Sequence, residues 1–415
     1  MLAVRAPQID RAWRFVAVAF VITMVSTGLS FAIGPLVSPL LADFGLTRTY
    51  LSGVIAVRQL AYGVGLAMFG RLADRWGTRP VAVGGAVLIG ASLVLAAATR
   101  SVLLFSVSFG LLAPAGFAAV GHTVLATIIS RWFKRRRGLA LTFLSSGAMG
   151  GIALGTPLLA LGISYIGWRG AYMAAAAACM LVFLPVAFFG LREPRVSPAE
   201  QASGTAWAPG ENGSSWPTAL RSRSFWLLGG SFFACGFSMN LLSAHGVPML
   251  EEHGFTSMTA SMGIGLIGFV SIFGSLALGA ISDRWGRPSV LALIYGGRAL
   301  GFLALFLAAG DWELYLVTAT AGLVWAGSSS LTSALTADLF GAQRVGTLFG
   351  WMYLLHQIGG AIASYLGGWA FTVLGSFTLP FGLSAVVLFA AAFMSSRVAR
   401  SRPGLITGRE AYSTD

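Results

Sequence analysis

Charge is scarce in this chain, and cysteine and lysine scarcer still. Only 10% of its 415 residues are charged, 56% are hydrophobic, and the mean hydropathy is +0.79. Those values exclude an ordinary water-facing surface of two or three soluble domains and leave a bilayer as the surrounding medium. Cys179 and Cys235 both lie inside apolar runs, so they supply neither a disulfide framework nor metal-ligand spacing. No Gly-x-x-x-x-Gly-Lys loop occurs, which removes support for ATP-driven transport. The four histidines show no His-x-x-x-His spacing and no nucleophile-base constellation is visible. No enzyme activity, metal or cofactor is therefore expected. Lys134 is the only lysine, and the arginines behind the net charge of +13 are scattered between apolar runs. That distribution reads as membrane topology and not as a nucleic-acid face. The first apolar run, from Phe15 to about Leu41, is too long for a signal-peptide core and lacks a convincing cleavage site, so it is expected to be the first span.

What the chain does have is a repeat. Gly70-Arg-Leu-Ala-Asp-Arg-Trp-Gly-Thr-Arg-Pro80 returns 209 positions later as Gly279-Ala-Ile-Ser-Asp-Arg-Trp-Gly-Arg-Pro288. The same offset aligns Pro39 with Pro248, Gly45 with Gly254, Gly65 with Gly274 and Gly151 with Gly360. Parallel halves of this kind are a transporter signature.

A helical span needs about 20 apolar residues, and twelve stretches qualify when Gly and Pro are allowed inside them. They lie near 15–41, 50–69, 80–98, 102–129, 138–165, 170–191, 225–249, 258–280, 289–309, 314–337, 346–367 and 378–396. The segment 192–224 is rich in Pro, Ser, Gly and Glu and reads as a polar linker. The expected organisation is a six-helix bundle over 1–191, a cytoplasmic linker over 192–224, a second six-helix bundle over 225–396 and a cytoplasmic tail over 397–415. With both termini on one side, that side collects most of the 27 basic residues, while the other holds Arg48, Arg100 and Arg169. Both termini are therefore expected in the cytoplasm, with the chain crossing a bacterial inner membrane many times.

With the twin turns, the basic segment Arg131 to Arg137 and the linker in place, the chain resembles the major facilitator superfamily; Gly70 to Arg79 carries that family's Gly-x-Leu-Ala-Asp-Arg-x-Gly-x-Arg motif. Within the superfamily it is similar to bacterial relatives of the monocarboxylate porters at Arg131 to Ala140, at His245-Gly-Val-Pro-Met-Leu250 with His253-Gly-Phe255, and at Thr347 to Gly350 running to His356-Gln-Ile-Gly-Gly360. The resemblance implies an all-α membrane protein of twelve transmembrane helices in two pseudo-symmetric bundles that rock about a central site. It also implies that Asp74, with Arg75 and Arg79, and Asp283, with Arg284, act as conformational latches. The plainer reading of those turns is that they only satisfy topology, because surface ion pairs are individually weak.

Arg58 and Arg298 each fall about nine residues into a span, near the bilayer midplane, whereas all 14 acidic residues fall in loops, tails or span ends. A midplane arginine costs roughly 2.5–3.5 kcal/mol on insertion scales unless protein, water or a counter-charge receives it. For Arg58 an anionic substrate or neighbouring helix carbonyls would serve; Tyr62, one turn on, shares its face. Arg298 lies on the ninth span, which in the family packs outside the cavity, so a structural role bonded to carbonyls stands beside a functional one. The eighth span, where monocarboxylate porters usually carry a substrate arginine, has no charged residue. His122 and His356 are the proton-coupling candidates among the histidines, each with the alternative of a neutral ring donating to a carbonyl. Asn240 and His245 lie on span seven, Gln357 follows His356, and Trp325 with Phe31 could form the apolar wall of a small site.

The function expected is secondary transport of a small organic anion, with a monocarboxylate first, by alternating access, with proton coupling, facilitated diffusion and exchange all open. The alternative is efflux of lipophilic or cationic compounds. The expected partners are the substrate, protons and membrane lipids, with no nucleic acid, and the chain is expected to work as a monomer.

Overall fold

The computed structural model describes residues 6–121, 124–125, 129, 137–191, 216–340 and 345–398. Among them every regular element is helical. In chain order the helices are α1 (Ala6–Phe31), α2 (Val37–Phe44), α3 (Arg48–Trp76), α4 (Thr78–Ala98), α5 (Val102–Val107), α6 (Ala113–Ala119), α7 (Arg137–Ala178), α8 (Leu184–Gly190), α9 (Trp216–Arg221), α10 (Arg223–Glu252), α11 (Ser257–Trp285), α12 (Arg287–Ala304), α13 (Asp311–Leu323), α14 (Ser328–Phe340), α15 (Val345–Leu374) and α16 (Thr378–Ser396). Nine segments of the described residues are long and apolar enough to cross a membrane. The expected number was twelve. One of the nine, Phe143–Gly190, runs 48 residues and turns at Gly167, whose φ of +69° is not helical. Another, Asp311–Phe340, joins α13 to α14 across a break, and α12 and α15 are further helices outside the nine.

The internal repeat is a repeat of backbone punctuation. Thr47 accepts a hydrogen bond from the Tyr50 amide to start α3, and Thr256, at the same offset, accepts one from the Thr259 amide to start α11. Each hydroxyl takes one of the amides that a helix start leaves without a partner. The Asp-Arg-Trp-Gly turns end α3 and α11 at Gly77 and Gly286, with φ of +90° and +83°. A side chain is strained at such angles, which is why glycine recurs there. These turns define one end of the molecule, the near end; Arg48, Glu252 and Ser257 mark the far end. Trp76 and Trp285 flank the turns and are 69% and 65% exposed, placed where an indole sits at a membrane interface.

Three expected spans are interrupted. The first, read as continuous over 15–41, is α1, a short 3-10 turn at Gly34–Leu36 and then α2. Within the fourth, five residues, Ser108–Leu112, form a π-helical turn between α5 and α6. In the tenth, α13 stops at Leu323 and α14 begins at Ser328, with Gly327 at φ +98° between them. The apolar pattern runs through each break, so hydropathy alone shows none of them.

The core divides into two apolar clusters. One lies mostly in the first half of the chain, around Phe105, Phe109, Phe117 and Tyr172; the other lies in the second half, around Phe232, Tyr295, Phe302 and Phe381. The halves meet where α3 packs on α15 and where α7 packs on α11. Glycine makes both close: a Cβ on Gly268 would stand 2.6 Å from the Ala153 nitrogen, and one on Gly63 3.0 Å from Gln357. Inside the first half, α1 and α7 approach so nearly that a Cβ on Gly155 would stand 2.5 Å from both Cα and O of Gly28. Those obstacles are backbone and cannot swing aside. Gly155→Val is accordingly expected to destabilise the purified protein by about 1–3 kcal/mol, the usual range for overpacking. Gly150→Ala, whose nearest neighbour is the Met24 sulfur at 3.6 Å, is expected to be nearly neutral; detergent thermal denaturation measures both.

Candidate functional site

Arg58 and Arg298 are both buried, at 4% and 1% exposure, and each is spent on a broken helix. Arg58 leaves α3 and donates through Nη1 to the Phe109 carbonyl at 3.0 Å, inside the π-helical turn. Its Nη2 reaches the carbonyl and hydroxyl of Ser30, in the last turn of α1, at 3.4 and 3.5 Å. Carbonyls at a helix end or a π-turn have lost their usual partners, and in an apolar surround a guanidinium is an effective replacement. The rings of Phe109 and Phe117 add cation–π contacts at 4.8 and 5.2 Å. Leu29, Ser92, Ala96 and Tyr172 complete a cavity beside Arg58 with about 10 Å³ open to the centre of a water molecule. That is room for one water and not for a carboxylate.

Arg298 leaves α12 and meets the break between α13 and α14. Its Nη2 donates to the Trp325 carbonyl and to the Ser328 hydroxyl at 3.4 Å; its Nη1 reaches the Cys235 sulfur at 3.2 Å and the Ser238 hydroxyl at 3.4 Å. The guanidinium also lies 4.8 Å over the Trp325 ring. Two buried donors there, Arg298 Nε and Trp325 Nε1, have no hydrogen-bond partner among the described residues. From Cys235 a chain of polar contacts runs toward the other half. The thiol lies against His356, and the His356 Nδ1 is 2.9 Å from Oε1 of Gln357. The Gln357 amide then donates 3.2 Å across the interface to the Gln59 carbonyl on α3. His356 is packed between Tyr353, stacked at 5.3 Å, and Phe232 at 4.8 Å.

Of the residues singled out from the sequence, the structure brings Arg298, Trp325, His356 and Gln357 into one cluster. Tyr62 stands at its edge, within electrostatic reach of Arg58 and Tyr353. Arg58 lies apart, inside the first half. Asn240 returns its amide to the Gly236 carbonyl at 3.0 Å and packs against Gly360. His122 falls outside the described residues, as do the side chains of Asp74 and Asp283. Of their expected partners, Arg79 lies 4.3 Å over the Phe188 ring, and Arg75 and Arg284 are exposed.

Several contributors escaped the sequence reading. Cys235 passed as a small hydrophobe, although Ser238 three positions on shares its helix face, a spacing that marks a polar stripe. Two ion pairs were missed: Arg169 with Asp43 at 2.8 Å, whose arginine also donates to the Ala97 and Thr99 carbonyls, and Arg287 with Asp338. Their partners are far apart in sequence, so no local pattern announces them.

Helices that break inside a bilayer and close on buried polar side chains, arranged in two repeated halves, are the architecture of a membrane transporter. The family profile for the Major Facilitator Superfamily matches residues 19–328 and 246–411, and the chain belongs to that superfamily. It is 27% identical over 362 residues to an uncharacterized MFS-type transporter, YcxA, of Bacillus subtilis, covering 84% of this chain and 87% of that protein. It is 27% identical to mouse monocarboxylate transporter 11 over 94% of this chain and 88% of that protein. To the oxalate:formate antiporter of Oxalobacter formigenes it is 24% identical, over 86% and 83%. Among solved structures, a bacterial homologue of the human lysosomal transporter Spinster superposes with a TM-score of 0.71 at 15% identity, over 96% of this chain and all of that one. The fold is that of the major facilitator transporters.

Removing the charge at position 298 strands the Trp325 carbonyl in an apolar surround. Arg298→Met is therefore expected to lower stability by about 1–3 kcal/mol, the cost of a buried group left without a partner. Thermal denaturation in detergent checks it.

Proposed function

We propose that this protein is a secondary transporter of a small organic anion, with a monocarboxylate the favoured substrate. The observation that carries the reading is the sign of the interior. Two guanidiniums are buried between the helices, and among the described residues no Asp or Glu side chain is buried. A low-dielectric interior with fixed positive charge and no counter-charge attracts an anion and repels a cation. The similarity to a monocarboxylate transporter and to an oxalate:formate antiporter supports the same class.

In this reading the substrate binds between the halves, against Tyr62, His356 and Gln357, in the field of Arg58 and Arg298. Gln357 keeps a second amide N–H for a carboxylate while its Oε1 accepts from His356 Nδ1, and Tyr353 and Phe232 give the carbon end an apolar wall. The state described has the halves joined at the far end, where Ser38 bonds Glu251 and Thr49 bonds Thr372. Transport then consists of two bundles, 1–191 and 225–396, rocking about the interface of α3 with α15 and of α7 with α11. Asp74 and Asp283 act as latches at the near end, and that end faces the cytoplasm of a bacterial inner membrane together with both termini.

A thermal-shift screen of purified protein against lactate, oxalate, formate and a lipophilic cation tests the substrate class. A ligand at 100 times its Kd stabilises the native state by about 2.7 kcal/mol. Carboxylates are expected to raise the melting temperature of wild type and to lose that effect in Arg58→Gln and Arg298→Gln, each compared with its own unliganded melting point. Stabilisation by the cation alone, unchanged in both variants, would replace the anion reading with efflux of cationic compounds.

A further inference from the structure

Cys235 is a buried nucleophile that the transport reading leaves without work, and it does not stand alone. At 1% exposure it lies on α10 where side chains of α12, α14 and α15 converge on its sulfur. Arg298 Nη1 donates to it at 3.2 Å. The Ser328 hydroxyl lies 3.2 Å from it, and because the Ser328 oxygen already accepts from Arg298 Nη2 at 3.4 Å, its own hydrogen is free to point at the sulfur. The thiol also shares a side-chain hydrogen bond with His356. That ring gives its Nδ1 hydrogen to Gln357 Oε1 at 2.9 Å, an oxygen that only accepts, so a neutral His356 keeps Nε2 as an acceptor. A thiol, an imidazole and an amide oxygen that fixes the tautomer are the parts of an activated cysteine: a nucleophile, a base for its proton and a group that orients the base. The guanidinium and the hydroxyl add stabilisation for negative charge on the sulfur.

The second cysteine is the comparison that the molecule itself supplies. Cys179 is also 1% exposed, but it packs among apolar side chains of the first core cluster, and among the described residues burial is the only influence on its sulfur. Exposure therefore does not distinguish the two cysteines; polar surroundings do. The tight burial of Cys235 closes it to bulky or charged reagents and sets the class of electrophile as small and neutral. Two donors of the same cluster, Arg298 Nε and Trp325 Nε1, are buried without a partner among the described residues. They leave hydrogen-bonding capacity for a guest that carries oxygen.

We propose that Cys235 is a peroxide-reactive thiol, a modification site whose reagent is hydrogen peroxide. The thiol proton passes to the His356 acceptor nitrogen and the sulfur attacks one peroxide oxygen. The S–O bond forms as the O–O bond breaks, and the leaving oxygen takes the proton back from His356 and departs as water. The product is a sulfenic acid: the sulfur has given up two electrons and the peroxide has gained them. Arg298 and Ser328 lower the cost of the charge that the sulfur carries into the attack. The inference rests on this side-chain geometry and on no particular substrate.

The test is a peroxide time course on the purified full chain in detergent, without substrate. Each sample is quenched with catalase and denatured in dimedone and iodoacetamide, so that sulfenic acid and unreacted thiol are captured wherever they lie. Peptide mass spectrometry then counts both at positions 235 and 179. Cys235 is expected to oxidise at least about tenfold faster than Cys179, a modest share of what a positioned base supplies. His356→Gln is expected to remove most of that advantage. Ser328→Ala is expected to slow Cys235 at least about threefold through loss of a hydrogen bond to the charged sulfur, and it decides the matter should His356→Gln fail to fold. Equal oxidation of the two cysteines in wild type overturns the proposal, as does a Cys235 rate left unchanged in either folded variant. Because no anion is present, a failure here is distinct from a failure of the substrate reading.

Discussion

A carbonyl released from a helix inside a bilayer must find its donor within the protein, and the structure is organised around meeting that demand at three places. Water is not there to take the bond, and each unsatisfied group costs several kcal/mol. The first rod breaks after Phe31, the fourth at Ser108–Leu112, the tenth between Leu323 and Ser328. Arg58 serves the first two through Ser30 and Phe109; Arg298 serves the third through Trp325. A guanidinium has five donors in a fixed fork, so one side chain can hold two strands of backbone while remaining charged. The charge needed to steady the breaks is the same charge that makes the interior positive.

The bonds fall into two groups with different consequences. Those made by the arginines stay within one half: Arg58 with α1 and the π-turn, Arg298 with α10, α14 and the break before it. Most of those that cross the halves use neutral groups, as in Ser243 to the Phe31 carbonyl at 2.7 Å, Gln357 to the Gln59 carbonyl and Thr49 to Thr372, while at the far end Ser38 donates to the Glu251 carboxylate. A neutral hydrogen bond exchanged for one with water changes free energy by only about 0.5–1.5 kcal/mol, whereas stripping a partner from a buried charge costs more. Rigid halves with charged internal ties and a seam of mainly neutral, replaceable bonds suit rocking about the seam better than deformation within either half.

Much of this was legible in the residues. The helical membrane class follows from scarcity of charge, and the repeat from the two Asp-Arg-Trp-Gly turns, whose glycines the structure finds at positive φ. The family followed from the motif beginning at Gly70. The breaks were not legible, because a span is recognised by apolarity averaged over about 20 residues, and Pro35, Phe109 or Trp325 does not alter that average. The division of labour at the site was hidden for a related reason. Arg298, read with a structural role beside a functional one because it lies on an outer helix, gathers Cys235, Ser238 and Ser328 from helices 30 to 63 positions away in sequence. Spacing within one helix cannot report such a meeting. His245 stood in a quoted motif, yet only the structure places its Nε2 2.8 Å from the Ser364 carbonyl and leaves its Nδ1 without a partner among the described residues.

The two arginines also show what the duplication copied and what it did not. Shifted by the repeat offset, Arg58 falls on Ile267 and Arg298 on Ile89, both buried apolar residues. Each half thus has one guanidinium, supplied by its second rod in one case and its third in the other, and each reaches the broken fourth rod of its own half. Duplication accounts for the shared caps, Thr47 with Thr256 and Gly77 with Gly286, because these set backbone paths that both halves need. It does not account for the charges. Two different helices arriving at the same kind of break with the same side chain indicates that a fourth rod interrupted at mid-membrane demands a cation wherever the fold can supply one. The halves are alike in path and unlike in lining: the Arg58 side leaves a cavity with room for no more than one water, and the Arg298 side connects through Cys235, His356 and Gln357 to the seam. Discrimination between substrates therefore belongs to the residues that the repeat left unpaired.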